Sequence, residues 1–269
     1  MMSVSVQSVL DYVASLNPRK VLNPEEGLLY GKADASADGV LVTWMATVAA
    51  IRHAIAEDCR LIVSHEALTF HDYFPNASTP EPWTADRARL GLLEQNSITV
   101  VRAHSTVDPT HVVPGFIRAI GLSPALKQGT VWSFHEEAPI RLRDLAERVA
   151  AGLGMGALRV TGNPGQRVSR VGTMVGGLGQ DRHLLSWEKY LMGLGPEVIV
   201  AGETNDFAQR FAIDSGIGLI ETCHSASEEP GLAALANDFR SQFVKARIVF
   251  HKEVIPWGIL GWSASGRNV

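Results

Sequence analysis

Seven side chains of this 269-residue chain are placed to do chemistry: His65, Glu66, His104, Asp108, Glu203, His224 and Glu228. Five of them close short apolar runs: LIVSHE ends in His65 and Glu66, VVRAH in His104, VIVAGE in Glu203 and LIETCH in His224. Side chains at the carboxyl ends of strands in an open α/β sheet converge from distant parts of a chain, which is what a metal site requires. Imidazole with carboxylate suits zinc, iron, manganese or cobalt, whereas an all-oxygen cage suits magnesium or calcium. Taken singly, a His after a strand is more often a hydrogen-bonded surface or core group, and Asp108, in HSTVDPTH, is equally suited to start a turn before Pro109. Glu228 follows His224 by four positions, but Pro230 puts the next helix start at about residue 230. The pair then falls in a loop, and Glu228 and Glu229 also suit a helix N-terminus, where the macrodipole favours negative charge. Joint occurrence at strand ends is what carries the metal reading.

The elements that must position these residues alternate in two blocks, Val- and Ile-rich runs with stretches of helical period, which is the pattern of an α/β fold with a substantially parallel sheet. In the first block, 40–44, 61–64 and 98–103 read as strands and the stretch from Val48 as a helix. The Pro- and Gly-containing segment 123–129, SPALKQG, marks a boundary. Beyond it, 140–151, 186–192, 207–215 and 232–243 read as helices, and 168–175, 197–201, 217–222 and 246–250 as strands. The composition, 46% hydrophobic and 19% charged, is that of a folded globular chain. A net charge of -4 gives no electrostatic footprint for nucleic acid. Apolar stretches stop well short of the ~20 residues that span a bilayer, and the start lacks the basic-then-apolar pattern of a signal peptide. Two cysteines, Cys59 and Cys223, make no disulfide framework. A protein of the reducing cytoplasm, without membrane or nucleic-acid partners, is expected.

Other features carry less. VGGLGQ, residues 175–180, follows a strand but lacks the Lys of a phosphate-binding loop and the dinucleotide spacing, so it reads as a tight turn. Cys223 reads as small packing beside His224. His53, His71, His111, His135, His183 and His251 fit no ligand pattern, although His71 is close enough to LIVSHE to line a cleft.

At these residues the sequence resembles the Nif-three-like dinuclear metal centre family, also called the second type of GTP cyclohydrolase I. EEGLLYGKADASADGVLV looks like its segment leading into the first strands, LIVSHEALTF like its paired-histidine motif, and RAHSTVD like the segment with an Asp ligand. VGGLG, VIVAGE and LIETCHSASEEPGLAALA are similar, in order, to its glycine-rich turn, its Gly-Glu after a strand and its His-x-x-x-Glu pair. The resemblance covers most of the chain. It implies two related three-layer α/β domains with largely parallel or mixed sheets: residues 1–127 with His65 and Asp108, and residues 128–269, whose segment from about 224 packs back onto the first. It implies His65, Asp108, His224 and Glu228 as ligands of one or two divalent ions (zinc, iron or manganese), with Glu228 or Asp108 bridging, and a homohexamer. Two departures stand out. Glu66 replaces the second His of the pair and can coordinate through oxygen, and Met45 stands where the family has an Asp. The function expected is a metal-dependent hydrolase of a small substrate, with GTP cyclohydrolase activity one case and Glu66, Glu203 or His104 carrying the proton. The alternative is a non-catalytic metal-binding scaffold.

Overall fold

The computed structural model describes residues 4–70, 83–180 and 184–258. Along the chain run α1 (Val6–Leu16), β1 (Gly27–Tyr30), β2 (Gly39–Thr43), α2 (Val48–Ala56), β3 (Leu61–Ser64), α3 (Thr84–Gln95) and β4 (Thr99–Arg102). A π-helical turn, Asp108–Val112, leads into α4 (Val113–Ala119). There follow β5 (Lys127–Gln128), β6 (Trp132–Arg141), α5 (Leu142–Leu153), β7 (Arg159–Thr161), β8 (Arg167–Met174), α6 (Leu184–Tyr190) and β9 (Val198–Ala201). The chain continues through α7 (Asp206–Asp214), β10 (Gly218–Glu221), α8 (His224–Gln242) and β11 (Arg247–His251).

The strands form two mixed sheets, ordered β1-β4-β3-β2-β11 and β5-β6-β8-β9-β10-β7. The parallel pairs are β11 with β2, β2 with β3, β3 with β4, β8 with β9 and β9 with β10. Antiparallel β1, β6 and β7 flank them. Every residue of β2, β3 and β9 is buried, which is why these runs read as continuous Val, Ile and Leu rather than as alternating sequence. Alternate side chains nevertheless serve different layers. Val40, Val42, Leu61, Val63, Val198 and Val200 join α1, α4, α5 and α8 in one core that reaches both sheets. Leu41, Ile62 and Val100 face the opposite way, onto α2 and α3, and Ile199, Ala201 and Leu219 face α6 and α7. Each sheet therefore carries helices on both faces, and the inner helical layer is common to the two.

Helix α8 corrects the expectation at Pro230: it starts at His224, with the proline inside it. Pro230 has no N–H to give to Ala226 and its ring crowds that carbonyl, but the turn before it is held by other means. The Ser227 N–H donates to the Cys223 carbonyl, the Ser227 hydroxyl donates to the His224 carbonyl, and residues 225–229 are buried. Next to it, α8 meets α4 and the π-turn at backbone distance, since a Cβ on Gly231 would lie 2.3 Å from the Val112 Cα and one on Gly115 would lie 2.5 Å from the Gly231 Cα. The chain after α8 then returns to the first sheet as β11 against β2. Among the described residues no helix is long and apolar enough to cross a membrane. His71 lies outside the described residues.

Candidate metal centre

Two strand ends of the first sheet supply half of the site. Past β3, the Glu66 N–H donates to the Trp44 carbonyl at 2.7 Å and the Ser64 hydroxyl to the Glu66 carbonyl at 2.8 Å, so His65 and Glu66 leave the strand in a pinned turn. Past β4, the turn from His104 to Asp108 is gathered by Glu26, whose carboxylate accepts the N–H groups of His104 (2.8 Å) and Thr106 (2.9 Å) and the Thr106 hydroxyl (2.6 Å). The Asp108 N–H donates back to the His104 carbonyl at 3.1 Å.

The second sheet supplies the rest. Glu203 follows β9, its N–H donating to the Gly176 carbonyl at 2.8 Å. After β10 the chain enters α8 through Cys223, whose φ of 95° is costly for any residue but glycine. That conformation makes His224 the first residue of the helix and puts Glu228 one turn further on the same face. Gly176, at φ 64°, packs against this pair: a Cβ there would lie 2.5 Å from Glu228 Oε1 and 3.0 Å from His224 Nε2. The glycine-rich run is thus a close-approach turn rather than a cradle.

All seven side chains singled out in the sequence meet at this junction. His65 Nε2 lies 3.3 Å from Asp108 Oδ1 and 3.6 Å from Glu228 Oε2. His224 Nε2 lies 3.2 Å from Glu66 Oε1 and 3.4 Å from Glu228 Oε1, and its Nδ1 is 3.1 Å from Glu203 Oε2. Glu228 therefore spans the two histidines, and the indole N–H of Trp44 donates to its Oε2 at 2.8 Å. Donor atoms of His65, His104 and Asp108 fall within 4.8 Å of one another, as do those of His65, Glu66 and Glu228.

Four of the seven (His65, Glu66, Asp108 and Glu228) are buried, and three of those four are carboxylates. Burial alone would push both His65 and His224 down, but the neighbouring carboxylates, Glu228 foremost, outweigh it. His65 is raised well above 6.5 and His224 to about 12. Burial would raise Glu66, but the hydrogen bond from His224 takes it down to about 2, and the two imidazoles likewise hold Glu228 low. His104 is lowered, first by burial and then by the His65 charge. Arg102, on β4, steadies the Glu66 side, its Nη2 3.4 Å from Glu66 Oε2 and its Nε donating to the His65 carbonyl at 3.0 Å.

The residues fit a cation. His65 Nδ1 is 3.0 Å from the Ala103 carbonyl, which assigns the proton to Nδ1 and leaves Nε2 as a lone-pair donor in the neutral ring. That Nε2 is buried without a hydrogen bond, although two carboxylates stand within 3.6 Å of it. His104 is oriented in the same way, with Nδ1 3.2 Å from the Ser105 hydroxyl, which in turn donates to Glu25. Sequence reasoning cast His104 only as a proton carrier, whereas its ring is 4.7 Å from that of His65, within the His65–Asp108 group. Its spacing from Asp108, four residues in a tight turn, was the available signal. Trp44, Glu26 and Arg102 carried no such signal, because each acts through a contact remote in sequence. Met45, where the resemblance expects an Asp, is buried, and Arg89 Nη2 approaches its sulfur at 3.3 Å.

A two-sheet α/β protein with buried His, Asp and Glu side chains able to hold a metal ion between its sheets is the class defined by this geometry. The chain belongs to the Duf34/NIF3 (NGG1p interacting factor 3) family, whose pattern it matches over residues 4–255. A Clostridium acetobutylicum relative, called a GTP cyclohydrolase 1 type 2 homolog, is 21% identical over 92% of this chain and 94% of its own. Among solved structures, a Bacillus cereus protein related to NIF3 superposes with a TM-score of 0.79 at 12% identity, over 97% of this chain and all of the other. The Staphylococcus aureus protein SA1388 gives 0.78 at 14% identity, again over 97% of this chain and all of the other.

Proposed function

We propose that the junction binds one or two divalent metal ions, zinc, iron or manganese, and that the protein is a metal-dependent hydrolase of a small substrate. The observation that carries this reading is the buried, unbonded His65 Nε2 among the carboxylates of Asp108 and Glu228. His65, His104 and Asp108 form one set of donors, and His224, Glu66 and Glu228 the other, with Glu228 shared. A divalent ion held there supplies Lewis-acid polarisation and acidifies water. Glu203 is the best-placed proton acceptor, because it is half-exposed, hydrogen-bonded to His224 and kept ionised chiefly by that bond. Glu66 and His104 are the other candidates for moving a proton, Glu66 held by Arg102 and His104 by Ser105. The relative's name makes GTP one substrate to try. Assembly as a homohexamer and a cytoplasmic location complete the proposal, on the strength of the family resemblance and of two unpaired thiols.

Met45 favours a second reading, a non-catalytic metal-binding scaffold, since a thioether facing a guanidinium does none of the orienting work of a carboxylate. Elemental analysis of the purified protein with turnover assays separates the two. Bound metal is expected in the parent, clearly less in His224→Ala and partly less in Glu66→Ala, and an unchanged metal ratio in His224→Ala overturns the proposed ligand set. Metal without hydrolysis of nucleotides, pterin precursors or activated esters moves the assignment to the scaffold.

A further inference from the structure

A cavity of about 550 Å³ opens beside the junction, against His224 and Glu203. Its volume is that of a small-molecule site. Trp44, Phe70 and Trp257 line it with aromatic surface, which favours a planar, polarisable ligand. Trp44 is fixed by its bond to Glu228 and packs edge-on to the His224 ring, with centroids 5.4 Å apart. Trp257 is about half exposed, at 47%, and forms part of the rim.

The polar part of the wall is dominated by hydrogen-bond acceptors: the carboxylates of Glu203, Glu221 and Glu253. Both cations among the described wall residues, Arg159 and Arg89, are engaged already. Arg159 Nη1 stands 3.0 Å from Glu221 Oε2. Arg89 donates to the Leu68 carbonyl at 2.7 Å, and its guanidinium lies 4.3 Å from the Phe70 ring centroid. At the junction, Asp108, Glu66, Glu228 and Glu203 offset the charge of even two divalent ions, and in the wall Glu221 and Glu253 offset Arg159 and Arg89. Arg102 pairs with Glu66 but does not line the cavity. Among the described residues no surplus of positive potential is left to hold a polyanion, whereas N–H donors meet carboxylates that accept charge-assisted hydrogen bonds.

We infer that this cavity is the substrate pocket and that it takes a planar, uncharged heteroaromatic ring bearing an exocyclic amino group, as a free base rather than as a nucleoside triphosphate. The reaction such a base would undergo rests on the metal-centre reading, but its binding does not. A triphosphate chain would bring several negative charges against Glu203, Glu221 and Glu253. A ring without the amino group would add no donor to those that Glu203, Glu221 and Glu253 already take from His224, Thr204, Arg159 and Thr47.

The test is a fluorescence titration of the metal-loaded full chain with 2-aminopurine and with pterin, whose emission is quenched on stacking, and with elemental analysis of the same sample. Purine and the riboside triphosphate of 2-aminopurine serve as competitors. Saturable quenching is expected, with purine bound about tenfold more weakly, the size of a lost hydrogen bond to a charged group, and with the triphosphate no tighter than the base. Trp257→Ala, at a rim residue that is not one of the proposed ligands, is expected to weaken binding about tenfold with metal content unchanged, and Glu253→Gln to narrow the preference over purine. Quenching in protein that holds no metal would retain the pocket and remove the metal-centre reading. Loaded protein that quenches neither probe, a triphosphate bound tenfold tighter than the base, or Trp257→Ala binding like the parent would each overturn the inference.

Discussion

At His65 and His224 a proton and a metal ion compete for the same nitrogen atoms. Without metal, the surrounding carboxylates raise both imidazoles, His224 to about 12, so both are protonated at neutral pH. The stability this pairing contributes is complete below the ordinary imidazole value of 6.5 and fades as the pH rises toward about 12. Glu66 works in the opposite sense: its contribution is complete above 4.5 and is lost as the pH falls through about 2. The metal-free protein is therefore expected to be most stable between those limits. A metal needs neutral imidazoles, so loading at pH 7 is expected to expel about two protons per chain and affinity to rise about 100-fold per pH unit. Calorimetry in buffers of different ionisation enthalpy reads this directly, and loading without proton release would contradict the assigned ligands.

Positioning at the scale of elements depends on short connections that carry no period. Glu26, just before β1, collects the N–H groups of Asn23, His104 and Thr106 and the Thr106 hydroxyl, and so ties the turn that presents His104 and Asp108 to a segment far away in sequence. In Glu26→Gln one acceptor oxygen becomes a donor facing other donors, so a loss of about 1–3 kcal/mol is expected from the unsatisfied groups. Metal retention should fall as well. Thermal unfolding together with metal content checks both, and full retention would mean that the turn keeps its shape unaided. Strands β2, β3 and β9 were legible because burial on both faces leaves little but Val, Ile and Leu in LIV and VIV. Edge strands β5 and β7, of two and three residues, and α3, with its weakly apolar face, were not, because short or mostly solvated elements leave no period to read. Pro230 misled for a different reason: the rule that ends helices at proline weighs one missing hydrogen bond and a clash, while the packing of α8 onto α4 outweighs both.

In the whole molecule the two sheets share the helical layer between them, and α8 is its centre. Phe239 is fully buried there, edge-on to Tyr12 and Phe243 at 5.6 and 5.7 Å. Phe239→Ala is expected to cost about 3–5 kcal/mol and, because one core reaches both sheets, to lower hydrogen-exchange protection in β3 and in β9 by the same amount. Loss confined to one sheet would show that the halves unfold separately. The shared layer also keeps the strand ends of one sheet opposite those of the other, since His224 and Glu228 ride on the helix that packs against α4 and β11.

By itself the sequence determined that strands end in His65, Glu66, His104, Glu203 and His224, because strand burial and the chemistry of a side chain are local properties, and its ordered motifs carried the family. Tertiary structure alone decided that ends from two separate sheets meet around Glu228, that α8 begins at His224, that Gly176 must lack a side chain and that Trp44 and Arg102 hold the carboxylates. Those facts rest on contacts between residues far apart in the chain, such as β11 against β2, and the free energy of such contacts lies in packing that no local pattern records.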